Sequence, residues 1–284
     1  MKIKEILKLG IDTLKEKNIE EANLKARMLL SDILNKNKEY LLVHDEEDVD
    51  DNVKKVFLDK IERLRNYEPI QYILNHQEFM GLDFFVNENV LIPQPDTENL
   101  VEEVLHLVDK LNKDRNEEIR ILDLCTGSGA IAISLSKLLG KKALIYASDI
   151  SDEALKVAEE NCMNNMVNVY FFKSNLFKKI SELYKFDIIV SNPPYIETKA
   201  LENLPDEVKK EPKLALDGGE DGLKFYKEIS KEAKKYLLEN GYLAFEIGYN
   251  QKESVKNILK YEEYKNIYSR KDLSGNDRVV IGQK

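Results

Sequence analysis

At 284 residues the chain has room for one large domain or two unequal ones, and a hydrophobic content of 43% can fill a sizeable core. A net charge of −9 and an isoelectric point near 5.2 argue against a protein that coats nucleic acid, because neutralising phosphates takes a basic surface. Cys125 and Cys162 stand in no metal or redox spacing, and no apolar run approaches the roughly 20 residues that span a bilayer, so a reducing, cytoplasmic setting without membrane or metal is expected.

Residues 1–74 read as helices. Ile3, Ile6, Leu7, Ile11 and Leu14 recur at helical spacing, and apolar stretches follow over Glu20–Leu34 and Val49–Asn66. No glycine lies between Gly10 and Gly81 and no proline precedes Pro69, which favours a compact helical bundle. His44, beside Asp45, Glu46 and Glu47, reads as a solvated or capping residue rather than a metal ligand. Over residues 75–92, Glu78–Val86 reads as two short strands about Gly81, a hairpin connector. The proline-stiffened run Leu91-Ile92-Pro93-Gln94-Pro95 then enters a helix beginning near Thr97, with Asp96 or Thr97 as its cap, at the mouth of a site.

From Ile119 strands alternate with helices. Strands are expected at Ile119–Leu124, Ala143–Ser148, Asn168–Phe172 and Phe186–Val190, with helices at Ala130–Leu139 and Glu153–Asn164 between them. A long loop, a helix from about Leu223 to Glu239, a strand over Tyr242–Ile247 and a helix over Lys252–Leu259 follow. Strands near Tyr264–Ser269 and Arg278–Ile281 close the chain as an antiparallel hairpin. The alternation predicts an α/β fold with a mostly parallel, doubly covered sheet over residues 93–284.

Two motifs fall at strand ends of that sheet. Asp123-Leu124-Cys125-Thr126-Gly127-Ser128-Gly129 lies between the first strand and its helix, where Gly127 and Gly129 allow a tight turn and close approach to a ligand. Asp149 ends the next strand, about 20 residues on, where a carboxylate can accept both ribose hydroxyls. Asp123 disfavours a pyrophosphate and suits a cationic ligand, so S-adenosylmethionine fits better than a dinucleotide. Ser174-Asn175-Leu176-Phe177, after the third strand, is placed to border the adenine. The second motif is Ser191-Asn192-Pro193-Pro194-Tyr195. Its prolines cannot continue a central strand, so Asn192 is left at the carboxyl edge where ligands bind. The Asn192 side chain and the proline carbonyls form an acceptor-rich notch beside Tyr195, suited to gripping a planar NH2 group. Glu246 ends a strand near the same edge, either shaping the pocket or as an ordinary strand-end carboxylate.

In their order these motifs resemble the class I S-adenosylmethionine-dependent methyltransferases acting on amide or amino nitrogen, and more narrowly the glutamine methyltransferases of peptide chain release factors. The resemblance runs nearly end to end. It includes Pro69–Ile73, the Glu78–Val86 hairpin, Pro95-Asp96-Thr97-Glu98, Ser191–Tyr195, Glu211–Leu216 with Gly218-Gly219, and Asn276-Asp277-Arg278-Val279. It implies a Rossmann-like, seven-stranded sheet with a carboxyl-terminal antiparallel hairpin, preceded by a helical substrate-binding domain. It implies S-adenosylmethionine, leaving as S-adenosylhomocysteine, held by Asp123, Cys125, Thr126, Gly127, Ser128, Gly129, Asp149, Asn175, Leu176 and Asn192. It further implies the Gly-Gly-Gln loop of a class I release factor as substrate, bound by Asn192, Pro193, Pro194 and Tyr195, and a monomeric enzyme without stable nucleic-acid partners. Three positions depart from the family pattern: Gln94 where arginine is usual, Cys125 in place of a glycine, and Asn175 where aspartate is usual.

A glutamine amide nitrogen is a poor nucleophile, and His44, His76 and His106 all precede the motifs, so catalysis by positioning is expected. The Asn192 side-chain oxygen and the Pro193 carbonyl accept the two amide hydrogens while Tyr195 packs on the amide. The alternatives are an adenine amino-group methyltransferase on DNA or RNA, a ribosomal-protein glutamine methyltransferase, and a silent binding module that keeps the fold.

Overall fold

The apolar periodicity of the first residues is realised in α1 (Ile3–Lys15), α2 (Ala22–Leu34) and α4 (Asp51–Arg65). Their inward faces bury Ile6, Leu14, Leu29, Leu30, Phe57 and Leu64 completely in one core. Asp50 caps α4 by accepting the Val53 N–H at 2.8 Å. Two short helices, α3 (Lys38–Val43) and α5 (Ile70–Leu74), were not anticipated. α3 buries only Leu41, too little to show a period, and starts where Asn37 accepts the Tyr40 N–H. His44 follows it as its C-cap, stacked on Tyr40 at 4.0 Å and 2.6 Å from Glu47.

The structure, a computed structural model, describes residues 1–112 and 118–284. Contacts divide the chain into two units, Met1–His76 with Pro205–Lys210, and Gln77–Leu204 with Glu211–Lys284. Within the first unit Lys25 pairs with Glu207 at 2.6 Å. The second unit begins with the antiparallel hairpin β1 (Gln77–Phe79) and β2 (Leu82–Phe84). Phe79 and Phe84 enter this unit's own core, and Asn161 ties the chain beyond β2 by exchanging two hydrogen bonds with the Phe85 backbone.

The next helix, α6 (Pro95–Asn112), starts two residues earlier than expected. Proline suits a first helical position because its fixed φ is helical and its missing N–H has no partner to lose there. Asp96 and Thr97 are therefore inside the first turn, not capping it, and the Thr97 N–H bonds the Gln94 carbonyl at 3.0 Å.

The sheet contains β3 (Ile119–Leu124), β4 (Ala143–Asp149), β5 (Tyr170–Lys173), β6 (Phe186–Ser191), β7 (Leu237–Glu246), β8 (Lys265–Lys271) and β9 (Asp277–Gln283). Its seven strands run in the order β5-β4-β3-β6-β7-β9-β8, every pairing parallel except those of β9. Alternate residues feed two cores: Ile119 and Ile121 of β3 pack on one face, Leu122 and Leu124 on the other. α7 (Ala130–Leu139), α8 (Asp152–Asn164), α9 (Lys213–Leu216), α10 (Lys224–Tyr236) and α11 (Lys252–Tyr261) complete the unit. α10 ends and β7 begins earlier than expected, since a register shift lets Leu237 pair with Phe186 before Tyr242 pairs with Ile188. Among the described residues no helix is long and apolar enough to cross a membrane.

Candidate active site

The sheet order turns back on itself at β3, whose neighbours are β4 on one side and β6 on the other. Loops leaving such a switch point diverge and open a crevice at the carboxyl ends of the strands. A cavity of about 430 Å³ occupies that position, large enough for a nucleoside-sized ligand. Cys125 and Gly127 reach it from the β3 end, Asp149 from β4, Asn175 and Leu176 from β5, and Asn192 and Pro194 from β6. Asn89 and Leu91 form one further wall, and Leu214 and Ala215 the facing one. The Glu211 carboxylate, 119 residues on, accepts the Ile92 N–H at 3.0 Å and so clasps those two walls.

The loop after β3 is held from within. Asp149 accepts the Gly127 N–H and the Ser151 N–H, both at 2.9 Å, so the carboxylate that faces the cavity also shapes the turn. Gly129 has φ +82°, and a Cβ there would stand 2.8 Å from Ile133 and 3.1 Å from Ala158. Thr126, Ser128 and Gly129, expected to hold the ligand, stand outside the cavity lining. Cys125 has φ +62°, the left-handed conformation in which glycine is favoured; the side chain is carried at a local cost of about 1 kcal/mol. Burial pushes its thiol well above the usual range, so it stays protonated.

Asp123 lies under this loop, fully buried. Its Oδ2 accepts the Thr126 hydroxyl at 2.6 Å, while Oδ1 has no partner. Burial and the neighbouring Asp149 carry its carboxyl up to about 7 despite the Thr126 bond. Burial raises Asp149 as well. Two close carboxylates, one with an orphaned oxygen, form a pocket end that a cation relieves.

At the other end β6 stops at the prolines. Ser191 donates to the Leu124 carbonyl at 2.7 Å, locking the ends of β6 and β3 together. The Asn192 Nδ2 donates to Thr97 Oγ1 at 3.4 Å. Pro193 is buried, and the half-buried Tyr195 stands back from the cavity wall among Glu246, Arg278 and Asp96. Burial chiefly holds the Tyr195 phenol up, out of reach of ionisation. Its carbonyl is anchored by Gln251 Nε2 at 2.9 Å, and Gly222 packs on the same carbonyl. Arg278 bridges Asp96 at 2.8 Å and Asp272 at 3.1 Å.

The structure therefore gathers Cys125, Gly127, Asp149, Asn175, Leu176, Asn192 and Pro194 on one cavity and sets Asp123, Pro193 and Tyr195 just behind it. Glu211, Gly222 and Gln251 received no role from sequence reasoning, Thr97 only that of a helix cap, and Glu246 only an undecided one. Their signal was present in part, since Asp96-Thr97, Glu211 and Arg278 all fall in the family-like segments.

Asp123, Glu211 and Glu246 are each raised to about 7, chiefly by burial. Between their ordinary values and 7 the folded chain holds more protons than the unfolded one. Stability of the ligand-free protein is accordingly expected to fall as pH rises through about 5 to 7, by up to ~1.4 kcal/mol per unit for each group, and to level off above. Thermal unfolding across that range checks this, and a midpoint that climbs with pH contradicts it.

Comparison with known proteins places these features. The PrmC N-terminal domain family matches residues 5–74, and the methyltransferase small domain family matches residues 104–219. The chain is 42% identical over 285 residues to a release factor glutamine methyltransferase of Clostridium acetobutylicum, covering 99% of this chain and 98% of that one. It is likewise 42% identical to the protein of that name from Fusobacterium nucleatum, over 99% of this chain and 78% of the relative. Among solved structures, a methyltransferase from Pyrococcus furiosus shares the fold, with a TM-score of 0.51 at 20% identity over 80% of this chain and 97% of that one.

Proposed function

The chain belongs to the release factor glutamine methyltransferase family, and from that premise we propose that Asn192 and Pro193 hold the amide of a release factor's Gly-Gly-Gln glutamine against a methyl donor seated over Asp123 and Asp149. The protein is an S-adenosylmethionine-dependent protein-glutamine methyltransferase. One observation supports the assignment of roles: a cavity at the switch point is lined by Asp149 on one side and Asn192 on the other, with Asp123 buried behind its wall.

The residues fit the donor. Asp149 offers carboxylate oxygens where a ribose would sit, and the unpartnered Asp123 Oδ1 sits beneath the end that suits a positive group. When bound, S-adenosylmethionine supplies a methyl group made electrophilic by its sulfonium. The chain's own work is orientation. The Asn192 oxygen and the Pro193 carbonyl take one amide hydrogen each, which fixes the plane of the glutamine amide and leaves one face of its nitrogen open to the donor. The walls at Leu91 and Leu214, clasped by Glu211, keep water from that face. The helical unit supplies a second contact for the body of the release factor, the enzyme acts as a monomer, and its protein substrate sets its place in the cytoplasm.

A charge pairing between Asp123 and a cationic donor makes binding pH-dependent. Affinity for S-adenosylmethionine is expected to rise with pH up to about 7, by as much as about tenfold per unit, as Asp123 loses its proton. Titration calorimetry on the protein and on Asp123→Asn checks this. A wild-type affinity flat from pH 6 to about 7.5 removes the pairing.

The function itself is tested by transfer of a labelled methyl group to a purified class I release factor, to the same factor lacking the loop glutamine, and to adenine-containing DNA. Labelling of the first alone is expected. Labelling that survives loss of the glutamine, or that goes to DNA, overturns the assignment.

A further inference from the structure

Gripping an amide NH2 requires that Asn192 turn its oxygen, not its nitrogen, toward the substrate. The two ends of a carboxamide are nearly the same size, so packing alone does not choose between them; hydrogen-bond partners must. In the structure the Asn192 nitrogen donates to the Thr97 hydroxyl. That hydroxyl still has its own proton to place. Were it given back to Asn192, the carboxamide would flip and present its NH2 to the substrate, donor against donor.

Glu246 stands where the chain of donors must end. β6 and β7 pair in register up to Ser191 and Phe245, which brings the next residues, Asn192 and Glu246, side by side at the sheet edge. The first turn of α6 lays Thr97 against both, and the Glu246 carboxylate faces the Thr97 hydroxyl and the Asn192 side chain alike. The Glu246 side chain is 2% exposed, and its Oε2 has no hydrogen-bond partner. It is no ordinary strand-end ion pair, since Arg278, the cation that acts on it, bonds Asp96 and Asp272 instead. Tyr226 donates to the Glu246 backbone carbonyl at 3.0 Å, leaving the carboxylate for other work.

We propose that Glu246 is a positioning residue: its carboxylate, which can only accept, accepts hydrogen bonds from the Thr97 hydroxyl and the Asn192 nitrogen and thereby fixes the Asn192 carboxamide with its oxygen toward the substrate amide. The polarity of the notch, acceptor rather than donor, is set behind Asn192, by residues that do not touch the substrate. This rests on the assignment of the notch to a glutamine amide.

Five proteins test it with release factor as substrate at saturating S-adenosylmethionine: wild type, Glu246→Gln, Thr97→Val, Thr97→Ser and the Glu246→Gln/Thr97→Val double variant. Each single change is expected to lower kcat/KM for the release factor by roughly 10- to 100-fold. The double variant should lose no more than the worse single, because both break one chain. Thr97→Ser, which keeps the hydroxyl, regains most of the Thr97→Val loss. Calorimetric affinity for S-adenosylmethionine stays within about twofold throughout.

The pH profile adds a readout that a merely structural role does not move. A protonated Glu246 can donate, so wild-type kcat/KM should fall below about 7 while Glu246→Gln stays flat at its low level. The ionisable groups facing Glu246 are Arg278 on β9, Asp96 on α6, Tyr195 beyond β6 and Tyr226 on α10. The Arg278 guanidinium, paired with Asp96, and both phenols are pushed upward, so none of these three titrates there.

Losses that multiply in the double variant, or Thr97→Ser as impaired as Thr97→Val, overturn the proposal. If Glu246→Gln does not fold, the Thr97 pair decides alone. A wild-type protein that leaves the release factor unmethylated defeats the functional assignment instead, and the two failures are told apart on the first sample.

Discussion

Asn192→Ala is expected to lower methyl transfer to the release factor about 10²- to 10³-fold while S-adenosylmethionine still binds. The size follows from what the side chain does. Asn192 lies at the end of β6, where the prolines stop the ladder and Ser191 locks the strand end to β3. Alanine keeps that backbone and removes only the carboxamide. One of two acceptors for the substrate amide is then gone, the amide plane is free to turn, and the nitrogen meets the donor in a productive attitude only rarely. The carboxylates proposed for the donor, Asp123 and Asp149, hang on β3 and β4 and are untouched. Single-turnover transfer beside calorimetric donor binding separates the two effects. Undiminished transfer would sink the positioning mechanism, and lost donor binding would move Asn192 to the other half of the site.

Gly222→Ala is expected to destabilise the protein by about 3 kcal/mol, with a midpoint roughly 5–10 °C lower and slower transfer. Gly222 has φ +66°, and an added Cβ would stand 2.4 Å from the Tyr195 carbonyl oxygen and 2.8 Å from Gln251 Nε2. Neither neighbour can recede cheaply. The first is backbone, and the second donates both to that carbonyl and to the Gly222 carbonyl at 3.3 Å. Relief must come from moving the Tyr195 backbone, which shifts the notch itself. An unchanged midpoint in thermal unfolding would show that the loop from Gly218 to Gly222 gives way without the notch.

The pH effects pull in opposite directions. Raised carboxylates favour the ligand-free fold at lower pH, whereas the same Asp123 binds a cation better once ionised. On the proposed pairing of Asp123 with the donor, donor binding is expected to stabilise the protein most on the alkaline side.

The sequence by itself determined most of what depends on neighbours along the chain. Alternating apolar runs became strands, Gly127 and Gly129 made the turn over Asp149, and two prolines left Asn192 at a strand end, because backbone chemistry acts within a few residues. It also indicated which strand ends share an edge, since parallel strands joined by helices all point their carboxyl ends one way. Where the local signal was thin it fell short: α3 buries a single leucine, and the start of α6 turned on a proline that suits a first turn as well as it ends a linker. Only the tertiary structure decided what stands behind the motifs. Thr97 and Asn192, 95 residues apart, meet because α6 packs over the sheet. Glu246 joins them because β6 and β7 pair in one register. Residues 205–210 leave the loop after β6 and pack with the helical unit. These contacts are set by register, packing and burial, which no single stretch of sequence contains. Burial is also what turns Glu246 from a common strand-end acid into one with an unpartnered oxygen beside the notch.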